Sequence, residues 1–248
     1  MQCARILTMN WFICGVFSLS GSLFADPSAK DILKKAENIR SPDASYKVDV
    51  TLKDFRRGKE TVHTYEVLIK GRDKALVRFL TPLVDQGTKV LMVEEQMWIF
   101  MPSTAKPLRI SPRQKLTGNA AYGDIIRLDF VDNYTPKFVK TESLNGTSAH
   151  VLDLIAIEDK PVTYDRVQYW VDTVTFRPIK AFYQTREGKT LREGTFEKFE
   201  DMLGVKRPLV FKLNDFLEKE HRTELIYKSP KKASLPDLLF EKQNFGRE

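Results

Sequence analysis

From Ser45 to Met101 apolar and polar residues alternate almost without a break, and this period of two constrains the fold more than any other feature of the chain. In SYKVDVTLKDF, Tyr46, Val48, Val50 and Leu52 share one side, and Lys47, Asp49, Thr51 and Lys53 the other. After Arg57-Gly58-Lys59, Tyr65, Val67 and Ile69 repeat the pattern. Beyond Gly71-Arg72-Asp73-Lys74, Ala75, Val77 and Phe79 do so again. TKVLMV, which contains Met92, and QMWIFM follow on either side of Glu94-Glu95. Linkers this short join antiparallel neighbours, since a parallel crossover needs a dozen or more residues. A sheet with one apolar face must then be covered.

The second half returns to the same pattern. Asn145-Gly146 is a strong tight-turn signal. HVLDLIAI, DRVQYWVD, RPIKAFYQT, KTLREGTFEKFE, RPLVFKLNDF and RTELIYK then follow with short connections. Val167, Tyr169 and Val171 alternate, as do Leu209, Phe211 and Leu213. The expectation is a mainly β chain of about eleven strands in one antiparallel sheet, long enough to curl strongly, with a few short helices. No linker divides it.

Before the first strand, Asp26-Pro27-Ser28 offers helix caps, and Ile32, Leu33, Ala36 and Ile39 recur at helical spacing up to the stop at Ser41-Pro42. In the middle, PSTAKPLRISPR has three prolines that oppose a central strand. KLTGNAAYGDIIRLDFVDNYTP follows, with a short helix expected from Gly123 to Asp132. Together these segments predict a flap over something concave. At the other end, Leu235 to Phe240 forms a turn or short helix that sets Leu239 and Phe240 on the sheet edge. Trp98 and Phe100 face away from Met97, Ile99 and Met101, and Trp170 lies off the Val167, Tyr169 and Val171 face. These strands are therefore apolar on both sides, and Trp98 and Trp170 are the partner-docking candidates.

Arg5 precedes a mostly apolar run to Phe24, and Ser22-Leu23-Phe24-Ala25 precedes the polar DPSAKD. This predicts a signal peptide, residues 1–25, removed to leave one domain over 26–248. Both cysteines, Cys3 and Cys14, lie in the removed segment, which excludes a disulfide scaffold and a thiolate site from the mature chain. The net charge of +7 is spread without a dense Lys/Arg cluster, which argues against a nucleic-acid partner. His63, His150 and His221 occupy separate strands with no ligand spacing, no serine has a nucleophile-elbow context, and no glycine loop cradles a phosphate. Neither a metal, a cofactor nor an enzymatic activity is expected. Phenylalanine and methionine are plentiful instead, and soft or aromatic side chains suit a cavity for acyl chains as well as they suit a core.

The amino-terminal helix with SYKVDVTLKDF, then QMWIFMPSTAKPLRISPRQK, GDIIRLDFVDNY, DRVQYWVDTVTFRPIKAFYQTREGKTLREGTFEKFE and RTELIYKSPKKASLPDLLFEKQNF resemble the outer-membrane lipoprotein-sorting family, related to the periplasmic lipoprotein carrier and its outer-membrane receptor. The resemblance covers nearly all of the mature chain. It implies an incomplete barrel closed by helices and a lid loop over an apolar cavity, in a protein of the Gram-negative periplasm. The cargo implied is a lipid, acyl chain or lipidated protein, with transient membrane contact and transfer toward the outer membrane. An accessory subunit docked to an inner-membrane exporter is the alternative. The cavity candidates from the first half are Val48, Val50, Val67, Ile69, Val77, Phe79, Met92, Met97, Ile99 and Met101. Val167, Tyr169, Phe211 and Leu213 are those from the second half. The lid candidates are Leu108, Arg109, Leu116, Tyr122, Ile125, Ile126, Leu128 and Phe130. The family carrier also has an arginine that contacts its lid, for which Arg78 and Arg109 are the candidates, although alternation points Arg78 outward.

Overall fold

The computed structural model describes residues 27–104, 106–126 and 129–244. The expected signal peptide and the lid candidate Leu128 lie outside the described residues. Helix α1 (Ala29–Arg40) starts where Ser28 Oγ accepts the Asp31 N–H at 3.2 Å. It buries Ile32, Leu33 and Ala36 on its apolar face. Arg207 closes its far end by donating to the carbonyls of Asn38 and Ile39 at 2.5 and 2.9 Å, a favourable position for a cation.

Six strands follow: β1 (Ser45–Arg56), β2 (Lys59–Lys70), β3 (Lys74–Thr81), β4 (Lys89–Val93), β5 (Gln96–Phe100) and β6 (Leu108–Ile110). Next come the small hairpin β7 (Lys115–Thr117) and β8 (Ala120–Ala121), and two single-turn helices, α2 (Tyr122–Ile125) and α3 (Phe130–Asn133). The chain continues with β9 (Tyr134–Leu144), β10 (Thr147–Ala156), β11 (Arg166–Asp172), β12 (Pro178–Gln184), β13 (Thr190–Met202), β14 (Val205–Asp215) and β15 (His221–Lys232). A 3-10 turn at Asp237–Phe240 follows. The described residues thus contain fifteen strands, thirteen of them in one sheet, where the alternation led to about eleven. The additional strands are short or polar, namely β6, β7, β8 and the exposed β9, so they carry little apolar alternation.

The sheet order β6-β5-β4-β3-β2-β1-β15-β14-β13-β12-β11-β10-β9 is antiparallel throughout. Two meanders are joined where β1 pairs with β15, with Leu52 opposite Leu225 and Asp54 opposite Thr223. The sheet therefore does not close into a barrel, and β6 and β9 are its two ends. Residues 111–133 connect those ends.

The inner face carries one continuous core in which α1, α2 and α3 meet Val50, Val67, Val77, Val90, Tyr169, Leu213 and Leu225. The outer face has two smaller apolar clusters. Leu68, Leu76, Leu91 and Trp98 pack under Leu235 and Phe240 of the C-terminal segment, which Asp237 ties to Lys70 at 3.0 Å and Lys74 at 2.7 Å. Trp170 packs with Ala149, Val151 and Phe182, and its indole N–H donates to Glu142 at 2.6 Å. Both tryptophans face outward as the alternation predicts, yet both are buried, so neither offers the free docking face expected of it. Trp98 is covered by the C-terminal segment, which lies on the sheet's outer face rather than its edge. Among the described residues no helix is long and apolar enough to cross a membrane.

Candidate functional site

The site is the inner face together with the segment 111–133 that covers it. Thirteen of the fourteen cavity candidates are buried in the single inner core, and Met101 packs against it half-buried. Most of them pack against one another rather than around an open cavity. One space of about 20 Å³ lies under the cover, bordered by Arg40, Asp124, Phe130, Tyr134, Tyr164, Tyr183, Phe196, Phe211 and Tyr227, room for about one water. Of the cavity candidates only Phe211 borders it; Met92 and Met97 floor a separate cleft of about 340 Å³, open to solvent at the edge of the inner face, with Arg72, Lys160 and, from the covering segment, Pro112 and Asp129. The interior is filled because the covering segment supplies its own apolar side chains. Tyr122, Ile125, Ile126 and Phe130 are all buried, and Leu116 packs at the rim of the core. Leu108 and Arg109, on β6, are exposed and form no part of this cover.

Polar contacts fix the segment at several points. At its tip, the Asn119 N–H donates to Thr223 Oγ1 at 2.8 Å, and Thr223 Oγ1 donates to Asp54 at 2.6 Å, with His221 Nε2 3.0 Å from the same carboxylate oxygen. Gly118 sits at φ +59° directly over Asp54, and a Cβ there would collide with the carboxylate. Arg192 reaches Asn119 Oδ1 at 3.2 Å and Tyr164 Oη at 3.0 Å. On α2, Asp124 accepts from the Ala121 N–H at 2.8 Å and from Tyr164 Oη at 3.1 Å. Burial raises the Asp124 carboxyl above the ordinary range and also raises the Tyr164 and Tyr183 hydroxyls. Arg113 holds the segment's start to Asp165 at 2.6 Å and to the Val162 carbonyl at 3.1 Å.

The other end is held by α1. Glu37, fully buried, accepts two hydrogen bonds from Arg40 at 2.7 and 2.6 Å and one from the Phe130 N–H at 3.0 Å. The Arg40 guanidinium lies 4.2 Å from the Phe130 ring centroid. Burial opposes the charge on Arg40, but the Glu37 carboxylate beside it outweighs this and raises its pKa. Arg72, which also donates to Asn38 at 2.5 Å, pairs with Asp129, the residue that caps α3 by accepting from Val131 at 2.6 Å. Among the described residues, Arg40, Arg72 and Arg192 thus contact the cover from outside it, and Arg113 is the cover's own arginine. Arg78 instead pairs with Glu66 at 2.9 Å, and Arg109 pairs across β6 and β5 with Trp98. Helical spacing of Glu37 and Arg40 on α1 was the signal available in the sequence. It reads equally as an exposed ion pair until the fold buries it.

The three histidines do not converge. His63 lies 3.7 Å from Asp85, His150 3.2 Å from Thr141, and His221 beside Asp54. No group of three or more His, Cys, Asp or Glu that could hold a metal ion occurs among the described residues.

Three solved structures resemble this one closely. A LolA superfamily protein from Nitrosomonas europaea is 35% identical, with a TM-score of 0.82 over 88% of this chain and 99% of that one. A DUF1329 family protein from Desulfovibrio piger and a putative outer membrane lipoprotein-sorting protein domain from Vibrio parahaemolyticus are each 20% identical and share the fold, with TM-scores of 0.77 and 0.75. Each covers 88% of this chain and is itself covered to 98%. The profile of a family described as "Uncharacterized protein" matches residues 71–247. No curated protein matches the sequence.

Proposed function

The chain belongs to the LolA superfamily, and on that premise we propose that it is a non-enzymatic carrier for a lipid, an acyl chain or a lipidated protein. It works in the periplasm of a Gram-negative bacterium after loss of residues 1–25 and passes its cargo toward the outer membrane. The observation that carries this reading is the cover. The segment joining the two sheet ends fills the inner face with four apolar side chains, and it is held there by separate polar contacts at its tip and at α1 rather than by the sheet's own ladder.

Burying four such side chains stabilises the closed form by roughly 6–12 kcal/mol at about 1.5–3 kcal/mol each, an upper bound. At about 0.8 kcal/mol per methylene, a cargo chain of roughly 8–15 methylenes replaces that burial. An acyl chain of that length thus matches the cover in apolar burial alone, and the cover's hydrogen bonds to Thr223 and Glu37 favour the closed form in addition. A drug-sized ligand needs a pocket of about 300–1,000 Å³; the space of about 20 Å³ beside Phe130 is far below that, so loading there requires the cover to move, while the cleft of about 340 Å³ floored by Met92 and Met97 is large enough to receive the first part of a cargo.

Native mass spectrometry of protein recovered from the periplasm without detergent, followed by lipid analysis, tests the reading. Discrete adducts lost on delipidation support it. An unmodified mass, together with no uptake of a fluorescent lipid by the wild type or by Phe130→Ala, overturns it. The exporter-subunit alternative drew on Trp98 and Trp170 as exposed anchors, and their burial removes that support.

A further inference from the structure

We infer that the cleft floored by Met92 and Met97 receives the headgroup of a phospholipid that carries both a phosphate and a primary ammonium, an ethanolamine-type headgroup. This rests on the carrier reading and specifies the polar end of the cargo. The cleft, about 340 Å³, lies within the range of about 300–1,000 Å³ that small-molecule sites occupy. It continues into a more open recess of about 460 Å³ past Glu94, Glu95 and Pro161, which border both. An apolar floor under a charged rim suits the glycerol end of a lipid, where the headgroup gives way to acyl chain. Met92 and Met97 also belong to the inner core, so methylenes seated on them lie next to the space that the cover fills.

One ion pair spans the rim. The turn between β4 and β5 supplies Glu95, the loop between β10 and β11 supplies Lys160, and the two side chains meet. A turn near one end of the open sheet is thereby joined to a loop near the other. Both side chains are partly in water, Lys160 33% and Glu95 52% exposed, and a pair this exposed contributes about 0–1 kcal/mol. A ligand that offers each of them a new partner can therefore part it with little penalty.

Charge decides which headgroup fits. The cleft and its recess are bordered by six carboxylates, those of Asp73, Glu94, Glu95, Asp129, Asp132 and Asp159, against the three cations Arg72, Arg109 and Lys160. Arg72 is held by Asp129, and Lys74, beside Asp73 and Glu94, is held by Asp237 at 2.7 Å. A headgroup with a phosphate alone takes Lys160, strands Glu95 and brings another negative charge among the carboxylates. One with an ammonium alone strands Lys160. A headgroup with both replaces the pair charge for charge: phosphate meets Lys160, and ammonium meets Glu95 with the other carboxylates of the rim around it. A primary ammonium has three N–H donors for those carboxylates, and a trimethylammonium has none.

The test is calorimetric titration of the purified, delipidated full chain with dihexanoyl phospholipids kept below their micelle concentration. The phosphatidylethanolamine should bind about tenfold or more tighter than the phosphatidylglycerol, with the phosphatidylcholine between them. Glu94→Gln with Glu95→Gln should weaken the ethanolamine lipid about tenfold and remove its preference, at unchanged melting temperature because both side chains are exposed. Lys160→Gln should weaken both the ethanolamine and the glycerol lipid. Equal affinities for the three lipids, tighter binding of the glycerol lipid, or a preference that survives the double change overturns the inference. Uptake of a fluorescent fatty-acyl methyl ester, which has no charged headgroup, reads the carrier function separately. Ester uptake with no headgroup preference, or with no phospholipid bound, overturns this inference alone; loss of ester uptake as well overturns the carrier reading with it.

Discussion

Replacing Glu37 should destabilise the protein more than any surface change, because three hydrogen bonds and a buried charge converge on it. Glu37→Ala leaves the Arg40 guanidinium, itself only 7% exposed, without its carboxylate. Breaking one side of a buried ion pair costs about 3–5 kcal/mol. Loss of the acceptor for the Phe130 N–H adds about 0.5–1.5 kcal/mol. The sum is a large part of the roughly 5–15 kcal/mol by which domains are stable. Glu37→Leu with Arg40→Met removes both charges at similar volume, and it should return global stability to within about 1 kcal/mol of the wild type or above it. In that double variant α1 still fails to hold the cover, so the Phe130 amide should exchange with solvent about tenfold faster, while amides in β1 and β15 do not. Urea unfolding measures the first effect and hydrogen exchange by mass spectrometry the second. If Glu37→Ala loses under about 1 kcal/mol, or if the double variant is as unstable as the single one, the pair is not what holds the cover to α1.

Three further outcomes follow from the same geometry. Phe130→Ala should cost about 3–5 kcal/mol by opening a cavity under the cover, yet raise uptake of a fluorescent acyl probe; unchanged uptake would show that Phe130 does not occupy the cargo's place. The Asp124 carboxyl is raised by burial, so its protonated form favours the closed cover. That contribution is complete below the ordinary carboxylate range and is lost as pH rises through the raised value. Amide exchange across residues 119–126 should therefore accelerate with pH beyond its intrinsic rate in the wild type, and not in Asp124→Asn, where Tyr164, Arg192 and Arg40 remain; parallel profiles would refute this. Gly118→Ala, at a positive φ over Asp54, should displace the tip and weaken closure by more than about 1 kcal/mol; a melting temperature within a degree of the wild type would mean the tip is not seated there.

Much of the inner face was legible because alternation is local. Val48, Val50, Val67, Val77, Tyr169 and Leu213 fall on it as the spacing requires, and Trp98 and Trp170 fall on the other. The flap was legible from its prolines and glycines, but its form was not. The expected helix from Gly123 to Asp132 is instead the two short helices α2 and α3, because Asp129 takes an extended backbone, caps α3 and pairs with Arg72. The residues that bind the cover were not legible, since Arg40, Arg192 and the Asp54, His221 and Thr223 group have no pattern that separates them from ordinary surface polar residues.

By itself, then, the sequence determined the strands, their antiparallel pairing through short turns, the capped first helix and which side of each strand is apolar. These depend on residues within a few positions of one another. The tertiary structure decided what covers each face. It brought Asp54 to residues 167 and 169 positions away, laid the C-terminal segment over Trp98, and turned Glu37 and Arg40 from a helix-surface pair into a buried anchor for Phe130. A period of two says that a face must be buried but not by what, because that depends on the sheet's curl and on where its two ends come to rest.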